Sequence, residues 1–504
     1  MDAGLIQGFA SALSWSNLAY ATVGSLVGTL IGVLPGLGPS SALSILLPLT
    51  LYLQPESALI MLMAIYYGAQ YGGSTTAILI NVPGEVSSVA TCLDGYPLAR
   101  QGRAASALAI VAIGSFLAAT GSIILLAWIA PPLAELSLLF GPPEYFSLVL
   151  FSLVALAGFS GSSPIRGALA ALLGLILTTV GLDPLDGIHR FTFGNVNLMS
   201  GFDLVPALIG LFGIGEVLRS MESDLKAVFL GQLGRLFPMP SRSELRQSLL
   251  PIARGSFVGF FLGLLPGMGA SITTWIAYDL EKRVSKHPER FGKGELAGVA
   301  APESANNATA ISGMIPLMAF GIPTVPALAI ILAALQIYGL QPGPLLFAQH
   351  AHFTWTVIAA MFIGNVICLL LNLPLVGMWA RLAAVPYHVL GPMILAFALI
   401  GAYTPRNSLF DVWIAIAFGV LGYLLRKISW PAAPLILGLV LGPMFESSLR
   451  QSLSMSDAGV LILFERPISA SLLSVGILAV VGAFVIARRR ARAGVVATSK
   501  EDWT

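Results

Sequence analysis

Two short runs, Pro35-Gly36-Leu37-Gly38-Pro39-Ser40-Ser41 and Pro266-Gly267-Met268-Gly269-Ala270-Ser271, place flexible backbone directly before an apolar segment that can begin a helix. Free N–H groups and the positive dipole end at such a start suit an anion, and Ser40, Ser41 and Ser271 add hydroxyl donors. The alternative is that these glycines only kink and pack helices, as the spacing of Gly28 with Gly32 and of Gly259 with Gly263 allows. Packing is the first reading for that glycine ladder, and anion binding the first reading for the two breaks.

A second polar group follows each run. In the first half it is Tyr71-Gly72-Gly73-Ser74-Thr75-Thr76, leading to Asn81-Val82-Pro83-Gly84. In the second it is Pro302-Glu303-Ser304-Ala305-Asn306-Asn307-Ala308-Thr309, leading to Gly321-Ile322-Pro323-Thr324. Hydroxyls and amides inside apolar segments must face a partner or a wet cavity, because an unpaired polar group in lipid is costly. They are site candidates, with hydrogen bonding between helices as the open alternative. Asn306 and Asn307 offer amide donors to a carboxylate and carbonyl oxygens to a cation, and backbone broken near Gly36 and Gly267 exposes C=O groups that suit sodium. Glu303 can bind a coupling cation or a proton, or serve as a helix-start acid favoured by the dipole.

Other signatures are thin. Asp183-Pro184-Leu185-Asp186 is half of a magnesium-diphosphate motif without its companion, His350-Ala351-His352 lacks a third ligand, and no nucleotide-binding P-loop occurs. Cys92 and Cys368 lie in apolar surroundings and read as core. No enzyme constellation is complete, so neither a catalytic residue nor a cofactor is expected, apart from sodium or a proton as coupling ion.

A membrane scaffold must position these groups. The 504 residues are 56% hydrophobic and 10% charged, with a mean hydropathy of +0.87, whereas a soluble surface needs roughly 25 to 35% charged residues. The net charge of +2 is scattered, which excludes the basic stripe of a nucleic-acid binder. Met1-Asp2-Ala3 has no basic n-region, so no cleavable signal peptide is expected and the first hydrophobic stretch stays in the bilayer. Apolar runs approaching span length predict an all-α polytopic integral membrane protein with about ten to twelve transmembrane helices.

Gly24 to Ser40, GSLVGTLIGVLPGLGPS, and Gly255 to Ser271, GSFVGFFLGLLPGMGAS, agree without gaps at ten of seventeen positions. That is an internal duplication: a first repeat over 1–218, a charged linker over 219–254, a second repeat over 255–487 and a basic tail over 488–504. Each copy predicts a half-helix of about eleven residues, a Pro-Gly-x-Gly break and a second arm of about ten, neither spanning alone. These are two broken re-entrant hairpins, 24–53 and 255–281. Arg246 and Arg254 before the second hairpin, with Lys282, Arg283 and Lys286 after it, put both its ends in the cytoplasm. Asp2 and Glu56 around the first favour the outside, so the repeats are expected to be inverted. Arg488, Arg489, Arg490 and Arg492 argue for a cytoplasmic C-terminus.

The chain resembles the large membrane subunit of tripartite tricarboxylate transporters, the TctA-type permease. The resemblance rests on Gly32-Val33-Leu34-Pro35-Gly36-Leu37-Gly38-Pro39, Tyr71-Gly72-Gly73-Ser74, Leu93-Asp94-Gly95-Tyr96-Pro97-Leu98-Ala99-Arg100-Gln101-Gly102-Arg103, Ala300-Ala301-Pro302-Glu303-Ser304-Ala305-Asn306-Asn307 and Gly339-Leu340-Gln341-Pro342-Gly343-Pro344. It implies an ATP-independent importer of the bacterial inner membrane, driven by an ion gradient and taking tri- or dicarboxylates such as citrate. The implied partners are a small TctB-type membrane subunit and a periplasmic TctC-type solute-binding protein. Carried onto matching positions, it assigns Gly38, Ser40, Ser41, Ser74, Thr75, Gly269, Ser271, Asn306, Asn307, Pro323 and Thr324 to a midplane carboxylate site, and Gly36, Gly267 and Glu303 to the coupling ion. Thr324-Val325-Pro326 departs from the small residues usual after Gly-Ile-Pro. Asp94-Gly95-Tyr96-Pro97 with Arg100 and Arg103 is expected as a cytoplasmic turn that fixes the moving half. A passive channel and a polytopic membrane enzyme are the alternative functions.

Overall fold

The computed structural model describes residues 2–34, 37–159, 163–183, 185–222, 240–375, 378–379 and 387–478. Gly36, residues 223–239 of the linker and the basic tail lie outside the described residues. The chain forms α1 (Asp2–Ala12), α2 (Trp15–Val33), α3 (Pro39–Thr50), α4 (Pro55–Ile80), α5 (Val89–Arg100), α6 (Ala104–Leu136), α7 (Pro142–Phe159), α8 (Pro164–Thr178) and α9 (Leu204–Leu208). A π-helical stretch, Ile209–Ile214, carries α9 into α10 (Gly215–Met221). There follow α11 (Arg242–Gly263), α12 (Ala270–Val284), α13 (Ala297–Ser312), α14 (Met314–Phe320), α15 (Pro326–Ile337), α16 (Pro344–Gln349) and α17 (Ala351–Asn372). The last four are α18 (Tyr387–Tyr403), α19 (Leu409–Lys427), α20 (Ala432–Ser454) and α21 (Ile462–Glu465). Among the described residues the sheet content is one antiparallel pair, Gly181–Leu182 with His189–Arg190. The protein is an all-α polytopic membrane protein.

Seven helical runs among the described residues are long and apolar enough to cross a bilayer, and an eighth if the bent pair Gly459–Glu465 and Pro467–Leu478 counts as one span. That is fewer than the ten to twelve expected, for two physical reasons. The apolar helices Pro39–Thr50, Pro164–Thr178, Pro326–Ile337 and Leu390–Tyr403 have only 10–17 residues, short of the ~20 that span. α4 has 26 residues, but Tyr66, Tyr67, Gln70, Tyr71 and Ser74 to Thr76 lower its hydropathy while lying buried.

The two copies of the repeat fold alike. α2 and α3 flank the break at 34–38, and α11 and α12 flank the break at 264–269. The first arms are longer than the half-helices expected: α2 has 19 residues and α11 has 22. Ser14 caps α2, and Ser241 with Glu244 forms a capping box on α11, so each helix starts well before its first repeated glycine. α2 is therefore long enough to cross alone. In the second copy α12 turns back beside α11, since Arg254 on α11 meets Glu281 on α12 at 2.6 Å.

The glycine ladder is a packing device. A Cβ on Gly24, Gly28 or Gly32 would stand 2.6, 2.3 or 2.2 Å from the carbonyl oxygens of Met61, Ile65 and Ala69 on α4. On α11, Gly255 and Gly259 approach the carbonyls of Ala301 and Ala305 on α13 in the same way, at 2.1 and 2.3 Å. Each long helix thus lies backbone to backbone against the polar helix that follows its hairpin. Those partners lead into matching turns: Asn81 after α4, and Gly321 after the α14 that follows α13, are left-handed, φ 58° and 72°, and Pro83 and Pro323 follow two residues on.

The halves are clasped together by charge. Asp94 does not sit in a turn, since α5 runs through the Asp-Gly-Tyr-Pro run. Its fully buried carboxylate accepts from the Tyr278 hydroxyl and from the Gly294 and Glu295 N–H groups, each at 2.8 Å. Arg103 pairs with Glu244 at 2.9 Å.

Candidate functional site

Both breaks open onto one cavity of about 1060 Å³. Its wall holds Gly38 to Ser41 from the first break, Gly267 and Gly269 to Ile272 from the second, residues 83–87 after α4, and Thr324 to Ala327 after α14. Five helices begin in this wall: α3 at Pro39, α8 at Pro164 beside Ser163 and Arg166, α12 at Ala270, α15 at Pro326 and α20 at Ala432. Proline at the first position of α3, α8 and α15 presets the helical φ and removes an N–H that has no intrahelical acceptor. The N-caps of α3 and α12, Gly38 and Gly269, have no side chain to satisfy the remaining donors. Open N–H groups and positive dipole ends therefore face a shared space.

Charge in the wall follows the same sense. Arg166, Arg219 and Arg426 line it, against Glu85 and Glu216. Arg426 pairs with Glu216, and Arg166 donates to the Ile428 carbonyl at 3.3 Å. Gly267 shapes the second break: its φ of +85° favours glycine, a Cβ would meet Leu156 Cα at 2.6 Å, and its N–H donates to the Thr324 carbonyl.

The residues singled out in the sequence fall into two sets. Gly38, Ser40, Ser41, Gly269, Ser271 and Thr324 line the cavity, together with Gly267. Ser41 has another task as well, because its hydroxyl donates at 3.0 Å to the Phe212 carbonyl, inside the π-helical stretch. Ser74, Thr75, Asn306, Asn307 and Glu303 lie behind the wall, buried, and Pro323 is buried in the turn after α14. Ser74 donates to Glu303 Oε2 at 2.6 Å, and Thr91 donates to Glu303 Oε1. Asn306 donates to Glu85 Oε1 at 3.0 Å, and Asn307 donates to Ser115 Oγ at 2.7 Å. Glu303 is not a helix-start acid: α13 begins at Ala297, so Glu303 stands beyond its first turn. Gly36 lies outside the described residues.

Sequence reading missed Glu85, Gln70 and the three arginines. Glu85 does carry a local signal, an acid immediately after the Asn-Val-Pro-Gly break. The arginines come from three distant segments, and only the fold assembles them. Asp183 and Asp186 belong elsewhere, in an ion-pair cluster. Asp183 meets Arg450 at 2.6 Å and Arg190 at 3.5 Å, and Asp186 pairs with Arg450. His350 and His352 stand at the α16–α17 junction, where the His350 carbonyl accepts from the Thr354 hydroxyl.

Set against known proteins, residues 18–437 match the Tripartite tricarboxylate transporter TctA family. An uncharacterised 52.8 kDa protein in the TAR-I ttuC' 3' region of Agrobacterium vitis is 44% identical over 490 residues, 97% of each chain. An uncharacterised protein in the TAR-II ttuC' 3' region of the same organism is 42% identical over 234 residues, 46% of this chain and 97% of its own length. No solved structure matches. With duplicated breaks meeting at one cavity, and a family match across most of its length, the chain belongs to the TctA family, the large membrane subunits of tripartite tricarboxylate transporters.

Proposed function

We propose that this chain is the permease of a binding-protein-dependent, ion-gradient-driven secondary transporter that imports tri- or dicarboxylates such as citrate across the bacterial inner membrane. One observation carries the reading: five helix starts and three arginines line a single cavity between the duplicated breaks. Helix N-termini and guanidinium groups both favour anions, and a carboxylate with two or three charges uses several such donors at once. Ser40 and Ser271 add hydroxyls whose side chains make no hydrogen bond among the described residues, so they remain available to a ligand.

In this reading a TctC-type binding protein delivers the substrate from the periplasm, and a TctB-type subunit completes the membrane complex. The cavity accepts the anion at the breaks, and a cation moving down its gradient supplies the driving force, so no ATP step is needed. The C-terminal tail lies on the cytoplasmic side.

Labelled citrate uptake into proteoliposomes holding this chain and its small membrane partner, with loaded binding protein outside, tests the reading. Accumulation that requires both the binding protein and an imposed sodium or proton gradient is the expected result. Equilibration without accumulation would make the chain a channel, and no citrate movement through a folded complex would remove citrate as substrate.

A further inference from the structure

One carboxylate in the cavity wall and one behind it form a buried pair that the anion site does not use. Glu303 is fully buried on α13, and Glu85, 8% exposed, is buried in the turn between α4 and α5. Every donor they meet is neutral. Glu303 receives the hydroxyls of Ser74 and Thr91. Glu85 receives the Asn306 amide and, with its amide nitrogen turned toward the acid, Gln70 at 2.6 Å. Neither acid takes part in an ion pair among the described residues.

Two buried anions without a counter-ion are a costly arrangement, and a bound cation relieves it. A second observation points to a ligand at this pair. Ser88 is fully buried, and its hydroxyl has no partner. It lies beside Glu85, since a Cβ on Gly73 would meet both Ser88 Oγ, at 2.9 Å, and Glu85 Cγ, at 2.8 Å. That leaves an open hydroxyl, able to donate or to accept, beside a carboxylate that has no counter-ion among the described residues. A metal cation is less well provided for, since among the described residues no third carboxylate, histidine or cysteine joins the two acids.

The other titratable groups nearby do not change this balance. Tyr66 on α4 and Cys92 on α5 are neutral neighbours. Asp94 on α5 is turned to Tyr278 and the 294–295 backbone. On the hairpin, Arg254 is matched by Glu281 and Arg283 by Asp279. Glu85 lines the cavity, so a proton can reach the pair from the solvent that the substrate enters.

We infer that Glu85 and Glu303 form the proton-binding element that couples transport to a proton gradient, with Glu85 as the port to the cavity. This rests on the transporter reading above. A proton adds to a Glu85 carboxylate oxygen from water in the cavity, reduces the pair's charge from two negatives to one, and returns to water on the other side with the substrate. No bond other than that O–H forms or breaks.

The test uses the reconstituted complex with labelled citrate, measuring counterflow without a gradient and accumulation under a pH gradient. Glu303→Gln and Glu85→Gln are expected to retain counterflow and to lose proton-driven accumulation. Accumulation at the unsubstituted level in both variants would overturn the inference while leaving the transporter reading intact. Loss of counterflow from folded variants would also overturn it, by placing the acids in the substrate site. If the unsubstituted complex itself neither exchanges nor accumulates citrate, the citrate reading fails, and infrared pH titration of the purified complex decides about the pair. A buried carboxylic-acid band lost in either Gln variant supports it, and no such band at any pH overturns it.

Discussion

Aligned in sequence through the residues their glycine ladders meet, the first repeat from α2 to Glu85 and the second from α11 to Val325 match Asn81 with Gly321, both left-handed, and Pro83 with Pro323. The same register places Glu303 on Met63, Asn306 on Tyr66, Asn307 on Tyr67, Gln70 on Ala310 and Glu85 on Val325. Backbone geometry is duplicated, and polar chemistry is not. One repeat carries its acid in the turn and the other in the helix, and the two meet through Asn306. The duplication thus supplies matching breaks that face one cavity, and divergence at non-equivalent positions supplies a single polar network across them.

The largest test of that comparison strikes the shared part. Gly28→Val and Gly259→Val each place a side chain 2.3 Å from a backbone carbonyl of the partner helix, an overpacking worth about 3 kcal/mol. Both variants should fail to yield folded protein on size exclusion after extraction. A tolerant copy beside an intolerant one would break the equivalence of the two frameworks.

Next in size is the clasp between halves. Asp94→Ala leaves the Tyr278 hydroxyl and two N–H groups without their acceptor, at about 1–3 kcal/mol for each group that stays buried. Its thermal midpoint should fall well below that of Arg103→Ala, which breaks a partly exposed pair worth about 1 kcal/mol or less. Equal midpoints would show that Asp94 does not hold the halves together.

The serines sharpen the comparison further. Ser40→Ala and Ser271→Ala should raise the KM for citrate by about tenfold, the loss of one hydrogen bond to a charged ligand, with little change in stability. Ser41→Ala should do the reverse, costing about 1 kcal/mol of stability through the Phe212 carbonyl and leaving KM nearly unchanged. Swapped outcomes would move the ligand from one hydroxyl to the other.

The smallest effect lies outside both repeat cores. The Leu185 N–H, with Arg450, holds Asp183 at about 2. A carboxylate with a lowered folded value stabilises fully above its unfolded value and loses that contribution as pH falls through the folded one. The melting difference between the unsubstituted chain and Asp183→Asn should therefore persist from neutrality down to about pH 4 and disappear as pH approaches 2. A difference lost already near neutrality would separate Asp183 from this cluster.

The breaks, the ladders and the buried polar runs are legible in the sequence because glycine, proline and amide spacing along one helix is local information. What escaped depends on which segments meet. Asp-Gly-Tyr-Pro reads as a turn, yet it is helical because Asp94 is satisfied from α12 and the loop before α13. Glu85 looks like an ordinary loop acid until Asn306 and Gln70 surround it. The arms before each break look half-length because the repeat begins at Gly24 and Gly255, whereas caps at Ser14 and Ser241 decide where those helices start. Span-length helices among the described residues are fewer than the apolar runs for a related reason, since several of those runs are short helices, three of which begin at the cavity.

Helices in contact through side chains can slide, because rotamers readjust, but a helix whose glycines rest on its neighbour's carbonyls has no such lubricant. α2 with α4, and α11 with α13, should therefore behave as two stiff planks, each carrying its own break at one end. Displacement during a transport cycle then concentrates where the planks are joined by turns and by longer side chains, and the relative travel of the two planks, rather than bending within either, sets how far the cavity can be carried.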